Sequence, residues 1–280
     1  MPLAAKITGL FTYPVKGCAG IALAAAELTA RGLAHDRRWM VVNPAGRFQS
    51  QRELPRLATL RPRLADGELR LALGDAAELT VPVADLGEPL SVVVWDDAVP
   101  ALAVDPEVDR ALSAWLGKPV RLVRFPERVS RPCDPKYAPE GAHTGFADAF
   151  PLLVTSEGSL GELNMALAAA GAQPVPMSRF RPNLVLGGVP AGGEDRRRTL
   201  QIGGAVALAL VKRCDRCVVT TIDQASGVKT GPEPMATLMR VRRNARTGGA
   251  WFGQNAVPRL ADGATAMVRV GDHATLRDPC

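Results

Sequence analysis

Aromatic residues make up only 5% of this 280-residue chain, and no basic stripe interleaves with them. Proteins that bind nucleic acid concentrate positive charge and stack bases on aromatic rings, so nucleic acid is not an expected partner. Cysteines are few and odd in number, at Cys18, Cys133, Cys214, Cys217 and Cys280, without the spacing of a disulfide scaffold. No apolar run approaches the roughly 18 residues that a spanning helix needs, so no membrane is expected. The opening MPLAAKITGLFTYPVKG is interrupted by Lys6, Gly9, Pro14 and Lys16 and lacks the apolar stretch of a secretory signal. A reducing, cytoplasmic setting is the expectation, with thiols available for chemistry.

What is present is ordinary for a globular chain: 47% apolar and 22% charged residues, long enough for one large domain or two smaller ones. Lys and Arg number 34 against 28 acids, a net charge of +6 spread along the chain. That modest excess points to anionic small ligands or acidic partners.

Most of the first half reads as short strands. RLATLRPRL and ELRLAL flank Asp66-Gly67, a type I′ hairpin signal. RRWMVVN runs into a turn at Asn43-Pro44-Ala45-Gly46, and PLSVVVWDD is a further apolar strand. Asp105 as N-cap, Pro106 at the first helical position and Gly117 beyond the end bracket a helix whose apolar face is Val108, Leu112, Trp115 and Leu116. PVRLVRF then returns to strand. After PLLVTSEG a second helix is expected, with Ser159 and Glu162 as a capping box, Leu160, Leu163 and Leu167 as its stripe and Gly171 closing it. NLVLGG, AVALALV, VVTTID and TAMVRVGDHATL read as strands, and PEPMATLMRV as a short helix. RVSRPCDPKYAPEG, residues 128–141, is the expected linker or mobile loop. The fold class is α+β, predominantly β, closer to a barrel or sandwich than to a doubly wound sheet.

The pair in KRCDRCVVTTID raises three readings. A thioredoxin-like pair precedes a helix whose dipole lowers a thiol pKa, but here β-branched residues follow. A structural zinc site needs four ligands, and the other cysteines and His35, His143 and His273 stand singly. What remains is a turn in which Arg213 and Arg216 favour a thiolate at Cys217, the species that ligates soft metals. On spacing alone, a structural cysteine beside surface arginines is the default. Lys16-Gly17, Asp36-Arg37, Thr155-Ser156 and Arg181-Pro182-Asn183 all fall at strand–loop junctions, where anions are gripped. Each also fits a plain cap or ion pair.

In order along the chain, YPVKGC, GLAHDRRWMVV, PLLVTSEGSLGELN, FRPNLVL, RCDRCVVTTID, GPEPMATL and FGQN resemble one family. The chain resembles a MOSC protein with a MOSC N-terminal β-barrel domain, similar to the mitochondrial amidoxime-reducing component and bacterial relatives. The resemblance implies a MOSC-type barrel over residues 128–280 and a smaller β-rich domain over 1–127, with residues 1–37 free to pack on the barrel. It implies a molybdenum cofactor, a phosphorylated pterin dithiolene, with Cys217 as metal ligand and catalytic residue. Lys16, Gly17 and Arg37 match positions that hold the phosphate or pterin, and Thr155, Ser156, Arg181, Asn183, Asp215 and Arg216 match further cofactor contacts. Gly17 stands where relatives often carry Ser, and Asn255 where better-known relatives carry Tyr. The implied activity is reduction of N-hydroxylated compounds such as amidoximes and hydroxylamines. Electrons would come from a separate flavin, haem or iron–sulfur protein, since the chain has no motif for such a centre. The competing expectation is a molybdenum-cofactor or sulfur carrier of the MOSC sulfurase type.

Overall fold

A computed structural model describes residues 1–75, 77–261 and 263–278; Cys280 lies outside them. Seven strands close a barrel: Leu3–Thr12, Leu152–Ser156, Leu184–Gly187, Thr199–Ile202, Val206–Arg216, Ala250–Pro258 and His273–Arg277. Closure falls to the first strand. Its residues Leu3 to Lys6 pair with Leu276 to His273, while Lys6 to Leu10 pair with Gly187 to Leu184, so one strand serves both neighbours. Inside, Ile7, Leu10, Val154, Leu186, Leu208, Ala256 and Leu276 are buried together, which removes the apolar face of every strand from water. The fold is thus mostly β, as expected.

A second core lies beside the barrel. A five-stranded sheet runs Pro89–Val94, Asp97–Ala103, Arg121–Arg124, Trp39–Val42 and Val15–Lys16 in spatial order, and a three-stranded meander, Arg61–Ala65, Glu68–Ala72 and Glu78–Pro82, adjoins it. At the hairpin Asp66 and Gly67 have φ of 56° and 75°, the double left-handed geometry a type I′ turn requires. Helix α1, Pro106–Leu116, begins where Asp105 accepts the Glu107 N–H and ends at left-handed Gly117, and its Val108 and Leu112 pack on this core.

Helices α2, Glu157–Ala169, and α3, Met235–Val241, pack outside the barrel on Phe180 and Phe252, whose rings stack at 3.9 Å. No helix among the described residues is long and apolar enough to cross a membrane.

Three expectations are corrected. Helix α2 starts one turn earlier than the capping box placed it: Ser156 is the N-cap and accepts from Ser159 N, so Ser159 lies inside the helix. VVTTID does not continue as a strand. Val218–Thr221 is a 3₁₀ turn because the Thr220 and Thr221 hydroxyls donate to the Cys217 and Val218 carbonyls, three residues back, and so fold the backbone over. Residues 128–141 are no free linker either: Arg131–Pro132 pairs with His143–Thr144, and Cys133 is buried.

Candidate functional site

The sequence places Lys16 on a two-residue strand that pairs in parallel with Trp39–Met40, so its side chain enters from the five-stranded sheet. Arg37 precedes that strand and Arg181 ends the Met177–Phe180 turn; both adopt left-handed φ, 48° and 55°. Non-glycine residues avoid that region, and such strain gathers at functional sites. On the barrel side, the Val206–Arg216 strand shifts register against its neighbour between Leu210 and Lys212 and again between Arg213 and Asp215. A regular strand would turn alternate residues away; these irregularities bring Lys212, Cys214, Asp215 and Arg216 to one cavity wall.

The cavity has a volume of about 280 Å³. Lys16, Gly17, Arg37, Arg181, Asn183, Asp215, Arg216, Cys217 and Asn255 all line it, together with Arg52, Trp95, Asp148 and Lys212. Six cations therefore face two carboxylates, a wall suited to an anion that offers several oxygens. Gly17 has φ of 83°, where a side chain would be strained, so its contribution is the backbone.

The polar groups are held by a layer behind them. Asp36 accepts from Arg37 Nη1 at 2.5 Å and from Asn183 Nδ2 at 3.1 Å. Asn183 Oδ1 in turn accepts from Arg37 Nη1 at 3.0 Å and from Leu153 N at 3.1 Å, and its Nδ2 also donates to Phe11 O. Its amide is fully used inside the protein, where it holds Arg37. Gln51 and Gln224 exchange amide hydrogen bonds; Gln51 also donates to Gly17 O at 2.7 Å, and Gln224 accepts from Arg181 at 3.1 Å.

Lys16 is buried and donates to Phe146 O at 2.8 Å and to Asp148 at 2.5 Å. Burial pulls its pKa down, and Asp148 opposes that pull. Asp148 reaches the open mouth with its side chain 72% exposed, and the Trp95 indole N–H also donates to it. Desolvation by its surroundings raises its carboxyl, but Lys16, Trp95 and Arg37 outweigh that and hold it well below the usual carboxylate range.

The two cysteines of the pair differ. Cys214 Sγ accepts from Arg216 Nη1 at 3.0 Å, whereas Cys217 Sγ makes no hydrogen bond among the described residues. Arg216 Nη2 is fixed on Phe180 O at 2.8 Å, and its Nε is buried without a partner. No group of three or more metal-ligating side chains gathers among the described residues, so a metal here would need ligands from a cofactor.

Two expected contacts are not in this wall. Thr155 is buried with its hydroxyl on Met177 Sδ, and Ser156 bonds Glu194 and caps α2, because both lie where the strand turns inward into the helix. Conversely, Asp148, Trp95, Gln51 and Arg52 carried no site signal in the sequence. They come from loops and strand ends with no motif of their own.

The fold and site define a β-barrel protein whose cavity is lined by cations and by a thiol that makes no hydrogen bond among the described residues. A model of the MOSC N-terminal beta barrel domain matches residues 4–119, and one of the MOSC domain matches residues 141–275. Mitochondrial amidoxime-reducing component 1 of Homo sapiens is 32% identical over 252 residues, covering 85% of this chain and 72% of that protein. Its Xenopus laevis counterpart is 31% identical over 291 residues, 95% of this chain and 80% of the other. Molybdenum cofactor sulfurase of Oryza sativa subsp. japonica is 32% identical over 257 residues, 85% of this chain and 31% of the sulfurase. The chain belongs to the MOSC family, in the form that joins a MOSC N-terminal β-barrel domain to a MOSC domain.

Proposed function

We propose that this protein is a molybdenum-cofactor oxidoreductase that reduces N-hydroxylated compounds, such as amidoximes and hydroxylamines, with electrons from a separate redox protein. The observation that carries the reading is the convergence of Lys16, Arg37, Arg181 and Arg216 on a cavity also lined by Cys217, which has no hydrogen-bond partner among the described residues. The amidoxime-reducing names of the relatives agree with it.

The residues fit the group. A phosphorylated pterin dithiolene presents an anionic oxygen cluster and a soft metal, and the cavity presents arginine forks, a buried lysine and one thiol. The unpartnered Arg216 Nε is a buried donor that a ligand would satisfy. Arg37, Arg181 and Lys16 would hold the phosphate end, the Gly17 N–H would join them, and Cys217 would ligate the metal. When bound, the cofactor would supply two-electron oxygen-atom abstraction.

The chain does the rest. Asp36 and Asn183 keep Arg37 aimed, the Gln51–Gln224 pair fixes Gly17 and Arg181, and Arg216 engages Cys214, while Cys217 has no hydrogen-bond partner among the described residues. Trp95, Phe48 and Phe150 give the cavity an apolar part of its wall, which limits water. Asn255, half-buried on the Ala250–Pro258 strand, borders the same space and gives it a polar edge.

A carrier role is the second reading, favoured by the match to the sulfurase. One experiment separates the two. Protein purified from a host that makes the cofactor is assayed for molybdenum and pterin, then given a reduced dye and a simple N-hydroxylated amidine. Turnover lost in Cys217→Ala and kept in Cys214→Ala is expected. Stoichiometric cofactor without turnover on any such substrate would establish the carrier instead, and absence of molybdenum would defeat both readings.

A further inference from the structure

We propose that Tyr13 is the positioning residue that aims Arg37 and Arg181 together as a two-pronged anion clamp; the proposal rests on the cavity being an anionic-cofactor site. Each guanidinium carbon lies 4.4 Å from the centroid of the Tyr13 ring. Two cations gathered at one place repel each other, most strongly where water is excluded. The negative face of an aromatic ring attracts a guanidinium within about 6 Å and so offsets that repulsion. Tyr13 itself does not line the cavity, so any effect on a ligand passes through the two arginines.

The ring cannot turn aside. Tyr13 N donates to Asp36 Oδ1 at 2.8 Å, and its hydroxyl donates at 3.1 Å to the carbonyl of Pro182, the residue after Arg181. Arg37 N donates back to Tyr13 O at 2.8 Å, so one arginine is tied to Tyr13 through the backbone and the other through Pro182. Gly20 presses against the ring edge so closely that an added Cβ would stand 2.5 Å from Tyr13 Cε1. Burial, against the lowering by Arg181 and Arg37, pushes the phenol up to about 12, so the hydroxyl stays protonated and keeps donating. Both arginines also hold left-handed backbone, a conformation that persists where neighbours over-determine it, and Tyr13 is the neighbour they share.

The test is titration of inorganic phosphate into the full-length, cofactor-free protein by calorimetry, with fold checked by circular dichroism. Tyr13→Phe keeps the ring and is expected to bind within about twofold of the parent. Tyr13→Leu removes the ring and is expected to bind about tenfold more weakly, or about 1.4 kcal/mol. Pentafluorophenylalanine at position 13 keeps the shape of the Phe variant and reverses its ring electrostatics, and the same loss is expected; it decides the matter if the Leu variant does not fold. Parent-like affinity in the Leu or fluorinated protein would overturn the proposal. So would a Phe variant as weak as the Leu one, since the hydroxyl tether and not the ring would then be responsible. A parent protein that takes up no phosphate overturns the clamp as well. The cofactor reading is judged apart from it, by molybdenum and pterin content of the loaded protein.

Discussion

At the scale of single residues, identical side chains three positions apart have unequal surroundings. Arg216 engages Cys214, while Cys217 is unbonded among the described residues, a difference that accompanies the strand irregularity between Arg213 and Asp215. Asp148 is the counter-charge Lys16 meets in the cavity, and an arriving anion must share that lysine with it. Asp148→Asn is therefore expected to tighten phosphate binding about threefold, read by the same calorimetry. A second test concerns Glu194, whose Oε1 is buried without a partner and whose pKa is raised by burial and, less, by Asp195. A carboxyl with a raised folded-state pKa stabilises fully below its unfolded value, about 4.3, and that stability is lost as pH rises through the folded value. Glu194→Gln should thus melt about 2–4 °C higher than the parent at pH 8, with the gap closing toward pH 4. Lys16, Arg37, Arg181 and Cys217 are legible in the sequence, because they sit in ordered motifs. Asp148 and Trp95 are not: they reach the mouth from a loop and a turn, and neither periodicity nor charge marks such positions.

At the scale of elements, the turn after the thiol decides where the thiol points. VVTT reads as strand because β-branched residues favour it, yet the two threonine hydroxyls close the turn. Arg179 locks it from outside by donating to Thr220 O at 3.4 Å, Thr230 Oγ1 at 3.2 Å and Asp223 Oδ2 at 3.2 Å. Charge-assisted bonds of this kind contribute about 1.5–3 kcal/mol each, so Arg179→Met should raise amide hydrogen exchange across residues 217–223 at least tenfold. Unchanged protection there would show that the hydroxyls alone hold the turn. The helices are legible where caps are explicit: Asp105, Pro106 and Gly117 bracket α1 as expected. The start of α2 is ambiguous in the sequence because Ser156 and Ser159 are both competent caps, and only burial of Ser156 against Glu194 selects the first.

At the scale of the molecule, the cavity is assembled from parts distant along the chain. Gly17 and Gln51 come from one side and Arg181, Gln224 and Arg216 from the other, joined by the paired amides. Ligand binding should therefore stiffen both sides together: phosphate at about 100 times its Kd adds about 2.7 kcal/mol, some 5–10 °C in Tm. Hydrogen exchange should slow in residues 13–18 and 213–225 alike, and protection confined to one of them would contradict the shared wall. A predominantly β fold is legible from alternation, but which strands meet is not, since alternation assigns faces and leaves partners unspecified. The pairing of Leu3–Thr12 with Leu184–Gly187 and His273–Arg277 has a consequence for biosynthesis. The first strand leaves the ribosome long before either partner, and the edge that takes His273–Arg277 stays open longest. Ring closure then waits on contacts distant in sequence, a slow step that leaves an unpaired strand edge exposed to wrong pairing in the interval.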